Sequence, residues 1–455
     1  MSNQTDLVVL GGGSGGYATA LRARQLGMSV TLVERDRLGG TCLHRGCVPT
    51  KALLHAAELA DAARAAPARG IRTSFDGVDM TGVHAFKDRV VDRLHAGLRG
   101  LVGSSGVTYV EGEGRMVGPT SVEVDGQVHA GAHLVLATGS SPRSIPGVTL
   151  GPRVMTSDQA LRLDEVPGRV VVIGGSVIGV EFASVWRSFG SEVTIVEGLP
   201  GLVPLEDPAI GTQLERAFRR RGISFRTGAT VRGVTSSEAG AAVTLEGGDV
   251  LTADLVLVAV GRGPVSAGLG YEDHGVALDR GWVVVDERLR TSAPHVYAVG
   301  DLVPGLQLAH RGFAHGIFVA EEVAGLSPNP VEDVTIPRVT YCEPEIASVG
   351  LTEPQAREAH GEVETYAYDL AGNGKSQILG TAGFVKVVRQ ADGPIVGVHL
   401  IGTRMGEQVG EATLMVGWEA FPEDVARFVH AHPTQNEALG EAALALAGKP
   451  LHAHG

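Results

Sequence analysis

Leu10-Gly11-Gly12-Gly13-Ser14-Gly15-Gly16-Tyr17 follows a short apolar run, residues 7–10, and opens a stretch of helical composition, residues 17–27. A β-rich run, residues 29–34, comes next and ends in Glu34. Strand, Gly-rich turn, helix, strand and terminal acid are the parts of a dinucleotide-binding βαβ unit. Gly11, Gly13 and Gly16 permit a tight turn and bring backbone N–H groups close to a pyrophosphate at a helix N-terminus. Glu34 can accept a hydrogen bond from a ribose hydroxyl. A Gly-rich turn without a ligand is the alternative, and the complete context weighs against it.

The pattern recurs. Residues 170–173 are strand-like, Gly174-Gly175-Ser176-Val177-Ile178-Gly179 follows, a helix runs to about residue 190, and residues 192–197 end in Glu197. In both copies the acid lies 23 positions after the first glycine, Gly11 to Glu34 and Gly174 to Glu197. The second copy carries Ser176 at the middle glycine position, where a side chain crowds a pyrophosphate or hydrogen-bonds to it. A carboxylate at Glu197 suits a free 2′-hydroxyl and repels a 2′-phosphate, so NAD is expected over NADP.

Residues 51–66 and 80–101 read as helices, and residues 107–124 as short strands. Apolar strands at 134–137, 255–260 and 296–299 run into Thr138-Gly139, Gly261-Arg262 and Gly300-Asp301. From about residue 336 the pattern changes to mixed strands and helices with no nucleotide turn. The expected fold is α/β: a first dinucleotide domain over 1–150 and 266–335, a second over 151–265, and an α+β domain over 336–455.

Composition narrows the function. With 44% hydrophobic and 20% charged residues in 455, the chain has the make-up of a globular protein rather than a disordered one. A net charge of −13 argues against general nucleic-acid binding. No apolar run reaches membrane-spanning length. No basic segment precedes the apolar stretch at residues 7–10, so neither signal nor transit peptide is read and a cytoplasmic enzyme is expected.

Three cysteines cannot staple a chain of this length, so a close pair is better read as redox-active or metal-binding. Cys42 and Cys47 are five positions apart. On one ideal helix such residues point about 140° apart and rise about 7.5 Å, beyond the reach of about 7 Å between Cα atoms that a disulfide tolerates. If they bond, one lies in an irregular turn, and Gly46 supplies the freedom. Pro49 suits a first helical turn, which puts Cys47 near a helix N-terminus where a thiolate is favoured, with Lys51 one turn on. Zinc binding lacks a second ligand pair at the right spacing, and two inert buried cysteines remain possible. Cys342 reads as a small buried hydrophobe. In the tail, His430 or His432 could act as a base oriented by Glu437.

Taken together these motifs resemble the pyridine nucleotide–disulfide oxidoreductases almost end to end, and within them the branch that oxidises dihydrolipoamide. Gly39 to Lys51 is similar to the redox-disulfide signature, and His432-Pro433-Thr434 with Glu437 to the acid–base signature. The resemblance implies FAD in the first unit, lined by Lys51, Gly114, Thr138, Gly139, Asp301 and Ala309, with Gln307 to His310 against the flavin ring. It implies NAD in the second, with Gly174, Gly179, Glu197 and Gly261, and Glu181 near flavin and nicotinamide. It also implies a Cys42–Cys47 disulfide, His432 rather than His430 as the base, and a homodimer in which that base serves the other subunit. The implied partners are the dihydrolipoyl groups of an acyltransferase component of 2-oxoacid dehydrogenase complexes, with no metal. Rival readings are a reductase for another small disulfide, an NADH oxidase or transhydrogenase, and a non-catalytic flavoprotein subunit.

Overall fold

The computed structural model describes residues 5–452. Residues 1–4, part of the stretch read for a leader, and residues 453–455 lie outside it. The chain forms two units, each taken here by itself. The first draws its described residues from Met1–Ala52, Thr81–Arg143 and Arg262–Asp333, and the second from Leu53–Met80, Ser144–Gly261 and Val334–Gly455.

In the first unit, Thr5–Leu10 is a central strand, buried from Leu7 onward. Val30–Glu34 pairs with it on one side and Gln127–Leu136 on the other, both parallel. Thr108–Glu111 and Val296–Ala298 extend the parallel sheet outward. Strands covered on both faces bury nearly every residue, which is why they read as continuous apolar runs rather than alternating ones. The chain leaves the central strand toward one neighbour and returns later on the other side. That reversal opens a crevice at the strand's carboxyl end.

The second unit repeats the plan around Arg169–Ile173, flanked by Glu192–Val196 and Leu255–Val258, with Ile223–Arg226 and Val154–Met155 outermost, all parallel. The repeat holds atom by atom. Gly11 and Gly174 have φ of 108° and 110°, and a Cβ on either would lie 2.3 Å from a carbonyl oxygen, of Ala137 or Ala259. A Cβ on Gly16 or Gly179 would lie 1.8 or 1.9 Å from the oxygen of Gly11 or Gly174. Only glycine fits these four positions. Gly13 differs, since the nearest atom to its Cβ would be the Cα of Gly40 at 3.9 Å. The middle position is therefore not closed by the protein's own packing, and serine at the equivalent place, Ser176, leaves the turn intact.

The second unit also holds an antiparallel sheet of five strands, ordered Arg338–Thr340, Glu345–Gly350, Ile395–Gly402, Phe384–Gln390 and Val363–Asp369. Helices Val409–Gly417 and Glu437–Leu446 pack on it through a core that includes Val398, Leu400, Leu439 and Ala442. This is the α+β segment expected after residue 336. The fold is mixed α/β: two Rossmann-like sheets and a C-terminal α+β segment. Among the described residues no helix is long and apolar enough to cross a membrane.

Candidate active site

Cys42 lies in the short helix Gly40–Arg45, and Cys47 is the first residue of the helix Cys47–Ala65. That helix starts four residues before the expected Lys51, because Pro49 sits in the first turn, where no N–H is needed. Gly46, with φ −141° and ψ −113°, is the break between the two helices. The break lets the Cys42 thiol donate a hydrogen bond to Cys47. That bond, then burial, then charge on Cys47 push the Cys42 thiol far up, against an opposing pull from Lys51. Cys42 thus keeps its proton, and Cys47 stands at the start of a 19-residue helix, a position where the helix dipole favours negative charge. Tyr17 lies close by, its phenol pushed up to about 12, chiefly by burial.

A chain of hydrogen bonds anchors this segment. The Gly39 N–H donates to the Gly12 carbonyl at 2.9 Å. Arg262 reaches Thr41 Oγ1 at 3.4 Å, the Ser140 carbonyl at 2.8 Å and Ser140 Oγ at 2.8 Å. Ser140 Oγ donates in turn to Asp301 Oδ2 at 2.7 Å. The residue after the redox helix's first glycine is thereby linked to Asp301. Arg262 and Ser140 escaped the sequence reading, since Thr41 and Arg262 are 221 positions apart.

The first unit fits FAD. The helix Ser14–Gln25 starts with no side-chain cap and no acid in its first turn, so its N–H groups remain available to an anion. Glu34 accepts from Gly12 N at 2.6 Å and Asp36 N at 2.8 Å, which holds its carboxylate at the crevice edge. Asp301 sits half-buried in the turn after Val296–Ala298, and the Gly300 N–H donates to buried His315 Nδ1 at 3.3 Å. Burial pushes His315 down to about 4, so its ring stays neutral and can accept. The helix Ala309–Val323 also begins uncapped, and buried Gln307 Nε2 just before it has no hydrogen-bond partner. Uncapped N–H groups beside an unsatisfied amide suit the edge of a flavin ring. Thr138 and Gly114 are held firmly in place: Thr138 Oγ1 donates to the Val265 carbonyl at 2.6 Å, and a side chain on Gly114 would strike Leu10, Val33 and Val122. Gly139 takes a positive φ of 70° that turns the chain there.

In the second unit Glu197 accepts from Gly175 N at 2.6 Å and Leu199 N at 2.8 Å, the same two bonds that Glu34 makes. The helix Val177–Phe189 starts at Ser176, whose hydroxyl makes no cap bond and is free to meet a ligand. Glu181 is 2% exposed and accepts from Tyr341 N at 2.9 Å. Gly261, with φ 96°, is exposed at the end of its strand.

His432 Nδ1 and Glu437 Oε1 are 2.8 Å apart. Glu437 opens the helix Glu437–Leu446 and also accepts from Thr434 N at 2.8 Å. Burial pushes its carboxyl up, but these two hydrogen bonds and the charges on His432 and His430 outweigh it and hold it below the ordinary range. The imidazole side chain is 77% exposed while its carboxylate is 21% exposed. The ring therefore projects from a fixed support. His430 has a different partner, Glu411, at 2.8 Å. Nothing in sequence spacing pointed to that pair. Among the described residues no group of three or more His, Cys, Asp or Glu side chains could hold a metal ion.

Residues 5–316 match the family described as pyridine nucleotide-disulphide oxidoreductase, and residues 336–443 match that family's dimerisation domain. The chain belongs to this family. It is a flavin-dependent disulfide oxidoreductase, and its cofactors are FAD and NAD. Its sequence is 38% identical to a dihydrolipoyl dehydrogenase from Bacillus subtilis over 99% of this chain and 100% of that one. Its fold is similar to LpdA from Mycobacterium tuberculosis, with a TM-score of 0.91 and 28% identity over 97% of this chain and 99% of that one. It is also similar to the HOCl-induced flavoprotein disulfide reductase RclA from Escherichia coli, with a TM-score of 0.86 and 27% identity over 96% of this chain and 99% of that one.

Proposed function

We propose that this enzyme oxidises dihydrolipoamide to lipoamide and reduces NAD, with Cys42 and Cys47 as the redox pair and His432 as the base. The observation that carries the reading is the His432–Glu437 pair at 2.8 Å, since oxidising a dithiol at neutral pH needs a group that takes its proton. His432 removes a proton from one substrate thiol, and Glu437 stabilises the imidazolium and fixes its tautomer. The substrate thiolate attacks the Cys42 sulfur. The Cys42–Cys47 bond breaks and Cys47 leaves as a thiolate. The second substrate thiol, once deprotonated, attacks the substrate sulfur of the mixed disulfide and expels Cys42, which takes up a proton. Lipoamide departs two electrons poorer, and the pair is reduced. Bound FAD would supply the two-electron relay between the Cys42–Cys47 dithiol and NAD.

Gly11, Gly13, Gly16, Glu34, Lys51, Gly114, Thr138, Gly139, Asp301 and Ala309 would hold FAD, and Gly174, Gly179, Glu181, Glu197 and Gly261 would hold NAD. An exposed base on a dimerisation domain suits a homodimer in which His432 serves the partner's disulfide. The substrate would be the dihydrolipoyl group of an acyltransferase in a 2-oxoacid dehydrogenase complex. Three cysteines in 455 residues suit a reducing compartment, the cytoplasm. Steady-state turnover with dihydrolipoamide against other small dithiols tests the substrate. The expected kcat/KM for dihydrolipoamide exceeds the others by about tenfold or more, about 1.4 kcal/mol. Faster turnover of a different small thiol would overturn it.

NADH should be preferred over NADPH by about tenfold or more in kcat/KM, equivalent to at least about 1.4 kcal/mol. Glu197 is 9% exposed, both its oxygens face the turn, and residues 198–205 contain no basic side chain to receive a phosphate. A 2′-phosphate there meets a like charge in a desolvated cleft. Equal values for the two cofactors would mean that Glu197 does not meet the adenosine ribose.

A further inference from the structure

A second histidine–carboxylate pair stands behind the first. His430 Nε2 and Glu411 Oε1 are 2.8 Å apart, and the His430 side chain is 12% exposed. The other Glu411 oxygen accepts from the side-chain amide of Asn436. Glu411 belongs to the helix Val409–Gly417, which packs on the antiparallel sheet, whereas Asn436 is the N-cap of the helix that Glu437 opens. One carboxylate therefore grips both ends of the loop from His430 to Asn436, and His432 lies between them. On its other side the His430 ring abuts the next turn of the same helix: a Cβ on Gly440 would lie 2.5 Å from His430 Nδ1. The loop has further ties, Asn373 Nδ2 to the Thr434 carbonyl at 2.9 Å and Thr434 Oγ1 to the Ala431 carbonyl at 2.7 Å. Neither of these carries a charge toward the base.

We propose that His430, paired with Glu411, is a positioning residue for the His432–Glu437 base, holding its loop and balancing the charge beside Glu437. The proposal rests on His432 being the base of the dithiol reaction. The charged groups facing His430 are Glu411 from one helix and Glu437 from the other, with Glu411 much the stronger influence. The hydrogen bond to Glu411 raises the His430 imidazole above its ordinary value, so the pair stands as cation and anion near neutrality. Burial pushes Glu411 up, but its bonds to His430 and Asn436 bring it below the ordinary range. As an ion pair the two groups are neutral overall. Removing the cation alone leaves Glu411 as a bare negative charge behind Glu437. That charge stabilises protonated His432 and makes it a base only at higher pH.

The experiment uses the FAD-loaded enzyme with its disulfide oxidised. Opening of the disulfide by dihydrolipoamide, and separately by dithiothreitol, is followed by rapid-quench alkylation of Cys42 and Cys47 from pH 5.5 to 9. In His430→Gln the acid limb of the rate should move up by about half a unit to one unit. The rate below that limb should fall about three- to tenfold, with little change at pH 9. His430→Gln combined with Glu411→Gln is neutral overall and keeps a side-chain amide on each side, so the limb should return close to its wild-type position. A uniform loss at every pH, or an unmoved limb in His430→Gln, overturns the proposal. If dihydrolipoamide fails as a substrate while the dithiothreitol limb still moves, the substrate assignment falls and the role of His430 stands. A wild-type rate independent of pH with both dithiols removes His432 as the base and the proposal with it.

Discussion

Replacing His432 by glutamine is expected to slow dihydrolipoamide oxidation by about 10²–10⁴-fold, the range that a general base contributes. Glutamine keeps a side chain that can donate to Glu437 but cannot take a proton from a thiol. The loss should be concentrated in opening of the disulfide. Electron entry from NADH to an artificial acceptor needs no base and should keep most of its rate. Glu437→Gln should be milder: an amide still orients the ring through one hydrogen bond but no longer stabilises the imidazolium. It also gives up part of its hold on Thr434 N, now 2.8 Å from the carboxylate. Stopped-flow measurement of both half-reactions in the two variants checks this. Equal loss in the dithiol and NADH reactions would mean that His432 acts through the fold rather than through its ring nitrogen.

The two nucleotide units were legible because their constraints are local. A turn whose first glycine must take a positive φ, whose last glycine must touch the first, and whose acid must reach back to the residue just after the first leaves a fixed spacing in the chain. Gly11, Gly16 and Glu34 obey it, as do Gly174, Gly179 and Glu197. The same geometry explains why the one departure, Ser176, costs the fold nothing. The glycine equivalent to it, Gly13, answers to whatever lies in the crevice and not to the protein's own atoms.

The candidate site was legible where its parts lie in one segment and hidden where they do not. Cys42, Cys47, His432 and Glu437 sit in two short runs, so spacing marked them as candidates, and the family resemblance implied the disulfide and His432 rather than His430. The His430–Glu411 pair spans 19 positions and forms only because a helix packs on a sheet beneath the loop. The Thr41–Arg262–Ser140–Asp301 chain joins three distant segments of the first unit. His315 meets its partner, the Gly300 amide, 15 positions away only because its helix folds back on that turn. Such contacts depend on tertiary packing, which leaves no period or spacing to read.

Cys42→Ser should remove dihydrolipoamide oxidation almost entirely, by about 10⁴-fold or more, the scale seen when an enzyme loses its nucleophile. Serine cannot form the disulfide that the substrate opens. Cys47 would survive as a free thiol at its helix start, with Lys51 one turn on, so alkylation at neutral pH should modify it quickly. Cys47→Ser should abolish turnover too, but the remaining Cys42 should alkylate slowly until the pH is high. It loses the hydrogen bond to Cys47, yet burial still works against its thiolate. The opposite order of reactivity would mean that the two roles are exchanged. Cys42→Ser and His432→Gln subunits, each inactive alone, also test whether the site is shared. If His432 serves the partner's disulfide, a mixed dimer has one site with both groups and one with neither, and activity should reappear on reassociation. Mixed dimers that form and stay inactive would place His432 at its own chain's cysteines or remove it from the reaction.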